Sequence, residues 1–301
     1  VVSIGKDRRI FVRFFSEILM IGGALYLFFL GFLFLFGERL IFHPPSPPYS
    51  SEELEFSLLP TPSGEKVAAV FFPEPDASAA LIYSHGNAED LAALLPRLER
   101  IASLGVSVLA YDYPGYGAST GKPTESGVYE AAEAAMTFLQ KQGYPPSRIF
   151  LMGFSLGSAP TIFLAHRHAV AGIILQGAFL SAYRTVTLFP IFPGDRFVNE
   201  DRIASIVCPA LFIHGTDDRV VPFWHGRSLY DRYRGPKEGL WIEGGGHNGL
   251  WGHAPTQLSD ALEAFFSRSL PQGTAPLRRR KQEGRLAIKK KKRARRGVSK
   301  A

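Results

Sequence analysis

Three short apolar runs closed by glycine, "RIFLMG", "AGIILQG" and "PALFIHG", with a last one in "GLWIEGGG", constrain the fold more than any other feature of this chain. A run that stays apolar at successive positions has no wet face, so it reads as a strand buried on both sides. "AALIYSHG" and "VSVLAYDY" read the same way, and helical stretches are predicted over 89–103 and from about 126 to 142. Two further strands, "LEFSLL" and "VAAVFFP", flank a turn at Ser63-Gly64. Continuous apolar strands separated by helices imply an α/β fold: a mostly parallel central sheet with helices on both faces. With 46% hydrophobic residues over 301 positions, the chain can fill such a core.

The two ends read differently from this body. Residues 18–36, "ILMIGGALYLFFLGFLFLF", contain no charge. As a helix they span about 28 Å, close to the ~30 Å hydrocarbon core of a bilayer. They are expected to form a transmembrane helix rather than a cleaved leader, because "GERL" after them offers no small-residue cleavage site. Lys6, Arg8, Arg9 and Arg13 precede the helix, and only Arg39 follows it before "HPPSPPYSSEE". That asymmetry predicts a cytoplasmic N-terminus, with the body on the opposite side. The expected divisions are a basic flank over 1–17, the span over 18–36, a Pro-rich linker over 37–53, a folded domain over 54–270 and a basic tail over 271–301. A body starting near residue 44 is expected to be active without the helix. From Arg278 onward thirteen Lys/Arg face one acid, Glu283, so the overall +7 charge conceals a mildly acidic body. The tail is too polar to fold. Anionic lipid is its expected partner, in preference to nucleic acid.

"RIFLMGFSLGSAP" turns a buried strand directly into a helix, with Ser155 at the bend. A serine held on so sharp a turn needs tiny residues two before and two after it, here Gly153 and Gly157. The N-terminus of the following helix favours a developing negative charge. A serine hydroxyl becomes a useful nucleophile only beside a general base that an acid orients. Downstream, "FIHGTDDRVVP" offers Asp217 and Asp218, and "EGGGHNGLWGH" offers His247 and His253, all after apolar strands. His85 in "SHGN" is another candidate base. No His/Cys/Asp/Glu spacing suggests a metal site, no cofactor is called for, and the single cysteine, Cys208, reads as a small core residue.

Taken in order, "LIYSHGNAED", "YDYPGYGAST", "GFSLGS", "HGTDDRVVP" and "GGGHNGL" resemble the α/β-hydrolase superfamily, in particular its compact membrane-anchored serine hydrolases. The resemblance covers residues 54–270. It implies the α/β-hydrolase fold with Ser155 as nucleophile, Asp218 as acid and His247 as base. It also implies an oxyanion hole from the backbone N–H groups of Asn87 and Leu156, and gives His85 a structural role in that loop. The family's G-x-x-D spacing selects Asp218 over Asp217. A short cap is expected over about 180–207, where Leu180, Tyr183, Leu188, Phe189, Ile191, Phe192 and Phe197 would either pack on the sheet or line an acyl pocket. The expected activity is cleavage of a carboxylic ester or thioester, a lipid-like acyl group suiting the apolar cap, without a cofactor. The alternatives are a serine peptidase of the same fold and a catalytically silent membrane scaffold.

Overall fold

The computed structural model describes residues 4–50, 52, 54–75 and 77–270, with side chains from Phe11 onward. The basic tail expected over 271–301 lies outside the described residues. The chain opens with α1 (Ile4–Ile41), followed by β1 (Ser57–Pro60), β2 (Lys66–Phe72) and β3 (Ala80–Ser84). Then come α2 (Leu91–Ala102), β4 (Ser107–Tyr111), α3 (Glu125–Lys141), β5 (Ile149–Phe154), α4 (Ser158–Arg167) and β6 (Gly172–Gln176). The last third holds α5 (Asn199–Ile203), β7 (Ala210–Gly215), α6 (Phe223–Arg232), β8 (Lys237–Ile242), α7 (Leu250–His253) and α8 (Pro255–Ser269).

The eight strands form one sheet in the order β1-β2-β4-β3-β5-β6-β7-β8. β2 pairs antiparallel with β1 and β4, and every pair from β4 to β8 is parallel. Because side chains alternate along a strand, each central strand feeds two apolar layers. Ile149 and Leu151 of β5 pack with Val128, Ala131 and Ala135 of α3 and with Ile162 of α4. Phe150 and Met152 pack with Leu94 and Leu98 of α2 and with Leu262 and Phe266 of α8. Local chemistry sets the helix starts. Asp90 accepts from the Ala93 N–H at 3.1 Å, so α2 begins at Leu91 rather than at residue 89. Thr124 caps α3 in the same way.

The structure adds to three sequence expectations. The N-terminal helix is longer than 18–36, running from Ile4 to Ile41, with Phe11–Ile41 long and apolar enough to cross a membrane. Arg13 and Glu17 are one turn apart and pair at 3.1 Å, which lets the helix run on before the apolar stretch. The stretch 37–53 is not a free linker. Phe42 is buried between the rings of Tyr116 and Phe197, with centroids 6.5 and 5.9 Å away. Tyr49 is buried with its hydroxyl on Asp112 Oδ2 at 2.5 Å. The cap residues also split. Leu180 and Phe197 are buried, whereas Leu188, Phe189 and Ile191 are exposed and Phe192 packs on α1. Ile191 and Phe192 meet α1 rather than the sheet.

If the segment after α1 were a passive tether, truncating Phe42 would be silent. Its burial instead predicts that Phe42→Ala costs about 3–5 kcal/mol, whereas Val207→Ala at an exposed position stays within about 0.5 kcal/mol. Thermal unfolding of the two variants checks this.

Candidate active site

The bend after β5 is built by glycines. A Cβ on Gly153 would lie 2.2 Å from the Gly157 carbonyl oxygen, and one on Gly157 would lie 2.0 Å from that of Ser84. Only hydrogen fits at either position. The chain can therefore double back after β5 and press against the loop that follows β3. Ser155 sits at the apex with φ +51°, a left-handed conformation that a non-glycine residue adopts at a cost. The Ser158 hydroxyl donates to the Ser155 carbonyl at 2.7 Å and ties the bend to the start of α4.

A second pair of glycine-dependent loops converges on this serine from the ends of β7 and β8. A Cβ on Gly215 would lie 2.1 Å from the Gly245 carbonyl oxygen, and the Asp217 N–H donates to that same oxygen at 2.9 Å. The two loops are so close that Asp218 and His247, 29 residues apart, share a 2.6 Å hydrogen bond between Oδ2 and Nδ1. The other ring nitrogen, Nε2, lies 2.9 Å from Ser155 Oγ. A carboxylate on Nδ1 keeps the proton there and leaves Nε2 to accept from the hydroxyl.

Asp218 is held from several sides. Its Oδ1 accepts from the N–H groups of Val220 and Val221 at 2.9 and 2.8 Å. The His214 Nε2 lies 3.2 Å from its Oδ2 and 2.9 Å from the Val221 carbonyl. Burial alone would raise the carboxyl's pKa, but the bonds from His214, His247 and Val221 outweigh it and hold the group well below the usual carboxylate range. His225, next to this network, is pushed down to about 4, chiefly by burial. It stays neutral, and its Nδ1 accepts from the Leu180 N–H at 3.2 Å.

The rival residues stand elsewhere. Asp217 is exposed. His253 is exposed and turns its Nε2 to the Glu243 carbonyl at 3.2 Å. His85 is buried against Tyr113, ring centroids 4.2 Å apart, with Nε2 3.3 Å from Asp112. Asp112 is a buried hub that accepts from the Tyr49 hydroxyl and the Leu91 N–H. Gly117, at φ +50°, has no room for a Cβ beside it.

Leu156 follows Ser155 on the bend, and Asn87 lies on the loop after β3 that the bend touches. The Asn87 side chain shows what sequence reasoning missed. Its Oδ1 accepts from the Tyr116 hydroxyl at 2.7 Å and the His43 N–H at 3.0 Å, and its Nδ2 donates to the Ile41 carbonyl at 2.5 Å. The end of α1 is thus bonded to the rim of the site, so a body starting at residue 44 would lack groups that hold this loop. No local signal marks these contacts, because Ile41 and His43 lie 46 and 44 residues away. Among the described residues, no group of three His, Cys, Asp or Glu side chains is disposed to hold a metal ion.

Two outcomes follow from this geometry. Gly157→Ala should cost about 3 kcal/mol or more, since backbone must move to admit the methyl, while Gly246→Ala, which faces open space, should be tolerated; denaturant unfolding compares them. Because the Asp218 carboxyl is depressed in the folded state, the stability it contributes is present above about pH 4 and lost as pH falls toward the folded value. Asp218→Asn should therefore flatten the acid branch of the stability–pH curve.

The family described as serine aminopeptidase, S33, matches residues 75–193. Alpha/beta hydrolase domain-containing protein 17B of Homo sapiens is 38% identical over 234 residues, covering 74% of this chain and 79% of the relative. The alpha/beta hydrolase domain-containing protein aho-3 of Caenorhabditis elegans is 34% identical over 275 residues, covering 80% and 81%. Among solved structures, an esterase of Pyrococcus furiosus superposes with a TM-score of 0.64 at 20% identity, covering 76% of this chain and 98% of the esterase.

Proposed function

Since this chain belongs to the α/β-hydrolase superfamily, alongside the alpha/beta hydrolase domain-containing 17 proteins, and is a hydrolase, we propose that it is a membrane-anchored serine hydrolase cleaving a carboxylic ester or thioester. The observation that carries this reading is the hydrogen-bonded chain from Ser155 Oγ through His247 to Asp218. In this mechanism His247 Nε2 takes the Ser155 proton as Oγ attacks the substrate carbonyl carbon. The carbonyl oxygen becomes an oxyanion facing the backbone N–H groups of Leu156 and Asn87. Collapse of the tetrahedral adduct breaks the bond to the leaving alcohol or thiol, which departs with the proton from His247. An acyl group then remains on Ser155. Water, deprotonated by the same imidazole, releases the acid and restores the serine. Asp218 keeps the ring's proton on Nδ1 and stabilises the imidazolium that forms twice per cycle.

Anchoring is supported by α1. Its apolar side chains are largely uncovered by the body, Phe28 at 75% and Phe34 at 77% exposed, and so continuous an apolar surface is costly in water. The family description as an aminopeptidase favours a peptidase as the second reading. A panel of ester, thioester and peptide substrates separates the two.

A tagged fluorophosphonate should label the protein, and Ser155→Ala should abolish the label without loss of fold; undiminished labelling would move the nucleophile elsewhere. Asp218→Asn should lower kcat by about 10⁴, the cost of a mis-set histidine tautomer, while Asp217→Asn leaves turnover near the parent's. The reverse pattern in steady-state kinetics would reassign the acid.

A further inference from the structure

Residues 185–193, "TVTLFPIFP", form the outer loop of the cap and carry no charged side chain. Val186 is 85% exposed, Leu188 and Phe189 70% each, and Ile191 51%. The loop is nevertheless held against α1. The Tyr26 hydroxyl donates to the Ile191 carbonyl at 2.6 Å. The Phe192 ring lies 6.3 Å from that of Tyr26 and 5.2 Å from that of Phe29. Nearer the body, Gly37 allows Tyr183 to approach so closely that a Cβ would lie 2.3 Å from its hydroxyl.

These contacts fix the depth of the loop. Phe11–Ile41 offers 31 residues, of which a bilayer core takes up about 20. However the helix slides along its axis, residues from about 22 to 30 remain within the hydrocarbon. Tyr26 and Phe29 belong to that part, so the Ile191 and Phe192 that touch them are held at hydrocarbon level as well.

Part of the loop's backbone also suits that environment, where a peptide group must find its partner within the protein: four of its seven N–H groups are bonded internally. The N–H of Thr185 donates to the Ala182 carbonyl at 3.2 Å, and those of Val186 and Thr187 donate to the Tyr183 carbonyl at 3.1 Å each. The hydroxyls of Thr185 and Thr187 turn inward to the same two carbonyls at 2.7 and 3.1 Å. The Ile191 N–H donates to the Phe189 carbonyl at 2.9 Å. Pro190 and Pro193 have no N–H to satisfy.

We infer that residues 185–193 are a second membrane element, inserted in the bilayer beside α1 with Val186, Leu188, Phe189 and Ile191 among the acyl chains. This rests on the reading of α1 as a membrane span. A single span leaves the body free to turn about the helix axis. A loop inserted on one side of that helix removes the freedom and turns one face of the cap to the lipid.

Quenching by brominated lipid tests it. In a Cys208→Ser background, the full chain carries one cysteine at a time, Phe28→Cys on α1, Phe189→Cys on the loop or Lys141→Cys at the far end of α3. Each is labelled with an environment-sensitive fluorophore and reconstituted into phosphatidylcholine vesicles with or without brominated acyl chains. Brominated chains should lower emission at 28 and 189 by about twofold and leave 141 unchanged, as expected for groups within the acyl region. On the unaltered chain, a phosphatidylcholine bearing a diazirine in its acyl chain should leave adducts on the 185–193 peptide; this reading decides if a cysteine variant fails to fold. Quenching at 28 with none at 189, and no adduct on 185–193, would overturn the inserted loop while leaving the span intact. No quenching at 28 would overturn the span, and the inserted loop with it.

Discussion

The contact on which the site depends is between the Cα of Gly157 and the carbonyl oxygen of Ser84. There is no room for a methyl group between them. That approach lets the chain reverse after β5 and brings the loop after β3 alongside Ser155. The strain at Ser155, whose φ is +51°, is sustained because β5 before it is buried along its whole length and α4 after it packs on the sheet. The same device recurs where Gly215 meets Gly245, and there it brings acid and base together. Two backbone approaches, each possible only for glycine, thus bring three side chains from distant parts of the sequence within hydrogen-bond reach.

Charge is then arranged to suit that geometry. Asp218 accepts from two backbone N–H groups and lies against two histidines, so it stays ionised despite its burial. With both of its oxygens engaged, the carboxylate cannot rotate, and the imidazole bonded to it inherits that fixed orientation. His85 and Asp112 do comparable work on the opposite side. They form a buried cluster with Tyr49 and Tyr113 that stiffens the loop carrying Asn87.

The N-terminal helix is part of this scaffold rather than an appendage. Glu38 accepts from the Glu125 N–H at the start of α3, Phe42 fills a space between Tyr116 and Phe197, and Ile41 and His43 bond to Asn87. Phe197 itself has φ +51°, and its N–H is held by the Glu125 carboxylate at 2.8 Å. A displacement of the helix end would therefore reach the cap and the loop beside Ser155 together.

Much of this was legible in the sequence. Apolar runs specify strands buried on both faces because side chains alternate at every residue, and "GFSLG" specifies a tight turn because bulk near the serine would clash. The nineteen uncharged residues 18–36 specify a helix able to cross a membrane, since length and polarity are local properties. The order of Ser155, Asp218 and His247 was legible as well, and the resemblance implied that they act together. Only the tertiary structure decided that residues 41–43 belong to the rim of the site and that the cap's outer loop rests on α1 instead of the sheet. Those contacts join groups up to 165 residues apart. They arise from how whole elements pack, a property that no stretch of sequence carries alone.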